Sequence, residues 1–317
     1  MHHHLPAKRE TVRWGHWDGS LPPVLTVRSG DTVTIDTLSG EPADLPDPAS
    51  GFALVEGHRE VLEAGSGGPG PHLLTGPVAV DGAKVGDVLE VRVKEIMLRQ
   101  NWGWNLQVPL HGTLPEDFPE LRRVHVPLDA AANCVQMPWG QELALRPFFG
   151  NFGVAPPVSW GRLSSKEPRV FGGNMDNKEL GAGAIVYFPV FVDGALFSAG
   201  DGHALQGDGE VCLTAIETAL TGTFELITRK DMQLAQPRAE TPEAWITMGF
   251  DEDLDDAVKM ALRDMISLIV EMTPLGRQDA YTLCSIAADL RVTQTVDGNK
   301  GIHCVLAKGK LPVSIVT

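Results

Sequence analysis

Between about residues 10 and 225 apolar and polar positions alternate in short β-branched runs bounded by glycine, proline and aspartate, the pattern of a β-sandwich or barrel. Residues 28–36 and 84–92 each place a Gly-Asp turn before an alternating strand, an internal echo that a shared hairpin device explains as well as a duplicated lobe. Further strands are predicted over 169–171, 184–191, 195–198, 211–218 and 222–227. Residues 40–72, with several Gly and Pro, read as a long covering excursion, and loops of that length in compact proteins usually have work to do.

After about residue 230 the period changes. Acids over 251–256 suit a helix N-terminus, and Val258, Ala261, Leu262, Met265, Leu268 and Ile269 recur at helical spacing. A second helix is expected from about Arg277, carrying Tyr281, Cys284, Ile286 and Ala287, followed by strands over 290–296 and 301–307. The expected fold is a β-rich α+β one, with a β-sandwich or barrel-like front and an α+β C-terminal part. It divides into a tail at 1–9, a β-rich region at 10–228 that holds the candidate chemistry, and an α+β region at 229–317 packed on it.

Charge narrows the partners. Lys and Arg total 26 against 41 Asp and Glu, a net −15, which repels phosphate backbones and anionic lipid. Neither nucleic acid nor membrane is an expected partner; a small neutral or cationic ligand suits the field. Four dispersed cysteines without a C-x-x-C pair argue against a disulfide framework or thiolate zinc knuckle. No signal core or long apolar run appears, so a cytoplasmic setting is expected. His2 to His4 are set aside as a possible tag remnant.

Polar chemistry concentrates between Gly200 and Glu210, where Asp201, His203, Gln206, Asp208 and Glu210 stand among four glycines. Asp201 and His203, two apart, project to one face of an extended segment and can share a cation with ligands from elsewhere. Asp208 and Glu210 repeat the spacing, and one of them is a candidate base. Turn chemistry alone also accounts for Gly-Asp dipeptides, and local sequence leaves both readings open. Gly172-Gly173-Asn174-Met175-Asp176-Asn177 is a second candidate, with Asp176 as a ligand or Asn174 as an orienting amide, or simply an Asx turn. His72 sits between rigid turns, where a lone His is more often structural than a ligand. The apolar stretch 147–156 reads as a loop that either walls a pocket or plugs a core gap, and Cys212 as a buried strand thiol.

No G-x-S-x-G elbow or Walker A loop is present; a relaxed dinucleotide match at 181–186 precedes a strand rather than a helix. Trp17-Asp18-Gly19-Ser20 with Gly30-Asp31-Thr32-Val33, His72-Leu73-Leu74-Thr75-Gly76-Pro77-Val78, Gly173-Asn174-Met175-Asp176, the stretch from Gly194 through Gly200-Asp201-Gly202-His203 to Gly207-Asp208-Gly209-Glu210, and Leu290-Arg291-Val292-Thr293-Gln294 stand in an order that resembles the acetamidase/formamidase family of metal-dependent amide hydrolases. The resemblance implies hydrolysis of formamide, acetamide, related short amides or, in some relatives, a lactam, and often a homodimer. It carries over Asn174, Asp176, Asp201, His203 and Glu210, with His72 and Glu217 as further members. The expected assignment has Asp176, Asp201 and His203 holding a divalent ion, zinc before calcium or manganese, with Glu210 as base and Asn174 beside the oxyanion; Gln206 and Asp208 are possible additions. The rival reading is a non-catalytic β-barrel that binds a small molecule.

Overall fold

A computed structural model describes residues 1–312, so residues 313–317 of the expected C-terminal region lie outside the described part. Two large sheets face each other. The first has nine strands in the order His2–Leu5, Asp31–Asp36, Leu220–Arg229, Val88–Leu98, Ile185–Pro189, Arg238–Glu240, Ala244–Asp251, Lys300–Ala307, Ala288–Gln294. It carries strands from both sides of residue 229. The second has eleven, and at its centre Phe197–Leu205 lies between Phe148–Gly153, Leu73–Val80 and Ile216–Glu217.

The main core fills the space between the sheets, as inward positions of a sandwich must. Val33, Val91, Phe224 and Leu226 of the first sheet meet Phe149, Phe152, Phe197 and Ala199 of the second. Phe224 takes contacts from Phe149 at 5.4 Å and Phe197 at 5.3 Å between ring centroids. The stretch 147–156 is therefore a strand, not a loop, buried throughout Phe148–Gly153 because both its faces are covered.

Both helices form where the periodicity puts them. Leu254–Met272 opens on Asp253, whose carboxylate accepts from the amides of Asp255 and Asp256, and it buries Ala257, Ala261, Met265 and Ile269 against the C-terminal strands. Gly249 makes that approach possible: a Cβ there would stand 2.1 Å from the Ala257 carbonyl oxygen. In Arg277–Ala287 only Ala280 and Cys284 are buried, whereas the expected Tyr281 and Ile286 point outward. The four cysteines are free thiols, and no described helix is long and apolar enough to cross a membrane.

The two Gly-Asp echoes share one device. The Arg28 amide donates to Asp31 Oδ2 at 3.0 Å and the Lys84 amide to Asp87 Oδ2 at 2.9 Å, each closing a turn into a strand of the same sheet. Three strand expectations shift. Residues 169–171 form a turn, with Arg169 and Gly172 exchanging both backbone hydrogen bonds, and the strand is Gly172–Asn174. The strand expected over 195–198 starts at Phe197 and runs on through the Asp201-His203 motif, because Ala195 and Leu196 are left-handed. Of 211–218 only Ile216–Glu217 pairs, since Asn105 Nδ2 claims the carbonyls of Thr214 and Ala215 at 3.0 Å each. Cys212 is thus a half-buried turn residue whose sulfur accepts from Asn105.

Arg238 joins sheet to helix from an almost fully buried position, reaching Asp264 at 2.7 Å and Glu271 at 2.6 Å. Arg238→Ala strands the Asp264 carboxylate against the sheet, and denaturant titration should show a loss of about 3 kcal/mol.

Candidate functional site

The first two glycines of the central motif serve close approach rather than turning. Gly200 and Gly202 lie inside Phe197–Leu205, where a Cβ would stand 2.2 Å from the Leu73 carbonyl oxygen and 2.4 Å from that of Thr218. Neighbouring strands can therefore press on this one from both sides, and its polar side chains have one direction left. Asp201 and His203 share a face, as their spacing predicts, although Asp201 reaches it through a left-handed φ of 56°.

Other elements converge on that face. Asp176 follows Gly172–Asn174, its amide bonded to the Gly150 carbonyl at 3.1 Å and its φ at 48°. Glu210, φ 45°, ends a turn clasped by the C-terminal region: the Gly209 amide donates to the Thr293 carbonyl at 3.0 Å and the Thr295 amide to that of Gly209 at 3.1 Å. Non-glycine residues avoid this conformation at a cost of about 1–3 kcal/mol, and strain of that kind gathers at functional sites. Glu217 arrives in register with His203 from the next strand.

His203 is the hub. Its Nε2 lies 3.2 Å from Asp201, 3.3 Å from Glu217 and 3.8 Å from Asp176. The Phe148 ring meets it edge-on at 5.0 Å, and its Nδ1 meets Gln206 Oε1 at 2.7 Å. Gln206 Nε2 donates to the Asp176 carbonyl at 2.8 Å, which orients the amide so that its oxygen faces the ring. In the neutral imidazole this places the proton on Nδ1 and leaves Nε2 as a lone pair aimed at the carboxylates. His72 Nε2 lies 3.8 Å from the same Asp201 oxygen and is oriented at Nδ1 by Ser165.

Asp208 does not join them. It is exposed and paired to Lys178 at 3.0 Å, so the turn reading holds for it.

Asp297, which the sequence reading passed over, completes the cluster. It comes from the turn between the last two strands, and Gln294 Oε1 holds that turn by accepting from the amides of Val296 and Asp297. The only local hint was an Asp-Gly turn just past the Leu290–Gln294 motif.

Asp176, Asp201, Glu210, Glu217 and Asp297 are all buried, and their ionisation reflects it. Burial pushes Asp176 well above the ordinary range, reinforced by Glu210 and Asp297. Burial likewise raises Glu210, where Asp297, Glu217 and Asp201 outweigh the attraction of His203, and Glu217, where Asp201 adds to it. Asp297 rises to about 6, chiefly by burial. Asp201 goes the other way: burial opposes its charge, but His72 and His203 overcome it and hold the carboxyl below the usual range. Burial would lower His203, yet Asp201 lifts it to about 9.

Such an arrangement calls for positive charge. Two donor groups, Asp176-His203-Glu210 and Asp201-His203-Glu217, each bring their ligand atoms within 4.8 Å of one another. Asp176 Oδ1 and Asn174 Oδ1 are buried without a hydrogen-bond partner, while Asn174 Nδ2 donates to Asp176 Oδ2 at 2.8 Å. Unpartnered oxygens, clustered carboxylates and an oriented imidazole fit a divalent cation.

The cluster floors a cavity of about 410 Å³. Its wall includes Leu38 to Glu41, Asp44 and His72, so the excursion over 40–72 does cover the site. Arg123 pairs with Asp44 at 3.0 Å and His125 Nε2 meets the Asp44 carbonyl at 2.7 Å, pinning this cover to the second sheet.

The sequence profile of the Acetamidase/Formamidase family matches residues 2–164 and 160–316. The fold matches a recombinant predicted acetamidase/formamidase from Thermoanaerobacter tengcongensis with a TM-score of 0.85, at 31% identity over 98% of this chain and 96% of that one. An acetamidase from Bacillus halodurans gives a TM-score of 0.84, at 29% identity over 98% of this chain and 100% of that one. A formamidase from Methylophilus methylotrophus is 28% identical over 255 residues, which span 64% of this chain and 60% of the relative, less than two thirds of its length. With almost every residue inside the profile and the whole architecture shared, the chain belongs to the acetamidase/formamidase family.

Proposed function

We propose that the chain is a metal-dependent hydrolase that cleaves the C–N bond of a linear amide to a carboxylate and ammonia. The observation that carries this reading is the cluster of five buried carboxyl groups with the oriented His203, four of the five lining one cavity, in a chain of this family. Asp176, Asp201 and His203 would hold the cation, with Glu217 and Asp297 within reach and His72 beside Asp201. Zinc suits the imidazole, and calcium or manganese suits the oxygen-rich remainder. When bound, such an ion supplies the positive charge that polarises an amide carbonyl and acidifies water.

The side chains then divide the work. Gln206 holds His203 with Nε2 inward. Glu210 acts as the base: burial makes its carboxylate a stronger acceptor, and it takes a proton from the attacking water. As the water oxygen bonds to the acyl carbon and the C–N bond breaks, Glu210 returns that proton to the departing nitrogen, which leaves as ammonia. Asn174 plays a different part from the oxyanion donor expected of it. Its Nδ2 is engaged by Asp176 and its free atom is an oxygen, suited to accept an N–H of the amide.

Ammonia release from formamide, acetamide and a γ-lactam, with and without chelator, tests the reading. The metal-replete protein should turn over a linear amide, lose activity on chelation and regain it with metal. Glu210→Gln should keep its metal and lose at least about 100-fold in kcat, whereas Asp201→Ala should lose the metal. Turnover of none of the amides, together with unchanged metal content in Asp201→Ala, would sink the proposal.

Two further variants probe the scaffold. A Cβ on Gly150 would stand 2.4 Å from Asp176 Oδ1 and 2.5 Å from Asp201 Oδ2, so Gly150→Ala should abolish metal binding while circular dichroism stays native. Gln206→Leu removes the partner that orients His203, and calorimetric titration should show metal affinity weakened about 10- to 100-fold.

A further inference from the structure

The last two strands, Ala288–Gln294 and Lys300–Ala307, stay in register from Ala288 opposite Leu306 to Val292 opposite Ile302, and then slip. Gln294 stands opposite Gly301, so Thr293 is an extra residue on its strand. An extra residue bends the strand and re-aims its backbone, and such bulges gather beside active sites. Here the re-aimed groups serve the candidate centre. The Thr293 carbonyl accepts from the Gly209 amide at 3.0 Å, one residue before Glu210. Gln294, next along, accepts the amides of Val296 and Asp297.

The bulge is held from the facing strand. Thr293 is almost fully buried, and its Oγ1 meets His303 Nδ1 at 2.8 Å. Gly301 makes room for it: a Cβ there would stand 3.1 Å from the Thr293 Cβ and 3.4 Å from its Oγ1. His303 is itself buried, and its Nε2 has no hydrogen-bond partner. A proton on Nε2 would be a buried N–H without an acceptor, so the proton belongs on Nδ1, where Thr293 Oγ1 accepts it. Burial pushes the imidazole down to about 4 against the pull of Asp208 and Glu179, with Arg291 and Lys178 adding to the fall, so the ring is neutral and carries that single proton. The hydrolytic steps leave this histidine unused, and it lies outside the lining of the cavity.

We infer that His303 is a positioning residue for Glu210: through Thr293 it fixes the bulge whose carbonyl holds the Glu210 turn. This rests on the reading of Glu210 as the base. Glu210 sits at a left-handed φ of 45°, so its turn relaxes unless neighbouring bonds hold it. The bond from the Gly209 amide to the Thr293 carbonyl is one of those, and it is only as fixed as Thr293 is. Without the anchor at Oγ1 the turn gains freedom, and a misplacement of about 1 Å in a reacting group costs up to about 100-fold in rate.

kcat and KM for formamide and acetamide, per bound metal, are to be measured in the metal-replete protein and in Thr293→Val, Thr293→Ser and His303→Phe. Thr293→Val keeps the shape and removes the hydroxyl; kcat should fall about tenfold with KM unchanged. His303→Phe keeps a ring and removes the donor, and should share the loss. Thr293→Ser keeps the hydroxyl and should recover most of it. Combined with Glu210→Gln, Thr293→Val should cost less than about a further twofold, because the residue it positions is already gone. A wild-type kcat in Thr293→Val, or an equal loss in both backgrounds, overturns the positioning role and leaves the hydrolase reading standing. Release of ammonia from neither amide by the wild-type protein overturns the hydrolase reading with it.

Discussion

A cluster of five buried carboxyl groups, three of them within 3.8 Å of His203 Nε2, is the arrangement on which the rest of this structure depends. Desolvation alone makes each of them reluctant to ionise, and mutual repulsion adds to it. Such a cluster persists only where the surrounding fold is rigid enough to impose it, and where positive charge relieves it in the working state. The unpartnered oxygens of Asp176 and Asn174 mark where that charge is wanted.

The scaffold meets that demand through close packing of backbone. Gly200 and Gly202 let three strands approach without side chains between them, and Gly150 leaves the space opposite Asp201 that the donor atoms occupy. Asp176, Asp201 and Glu210 accept left-handed backbone to turn their carboxylates inward, a strain that hydrogen bonds elsewhere must hold. Behind this face the aromatic core of the sandwich fixes the second sheet, so the site stands on rigid strands rather than on mobile loops.

The C-terminal region belongs to this machinery as much as the β-rich front does. Its helices bury the outer face of the sheet through Gly249 and Arg238, while the segment from Thr293 to Asp297 clasps the Glu210 turn and contributes a carboxylate of its own. Holding the two parts in register is what keeps Glu210 and Asp176, which follow different strands, around one centre.

Periodicity was enough to read the two helices, the β-rich front and the pairing of Asp201 with His203 on one face, because each depends on the period of a local backbone. The motif order likewise singled out Asn174, Asp176 and Glu210. Contacts between distant segments left no local mark. Tyr281 and Ile286 look apolar enough for a core but face outward, because the sheet covers only one side of their helix. Residues 211–215 look like a strand, yet Asn105 takes their carbonyls. Asp208 and Glu210 share the same spacing from a glycine, and only the clasp by Thr293 and Thr295 and the pull of Lys178 send one inward and the other out. Asp297 was invisible for the same reason: an Asp-Gly turn is ordinary chemistry until the tertiary fold delivers it to a charged cavity. The sequence by itself determined the two helices, the β-rich front and the polar residues that the central motifs carry. The tertiary structure alone decided which of those residues meet, since burial and like-charge repulsion are properties of the assembled site and of no segment within it.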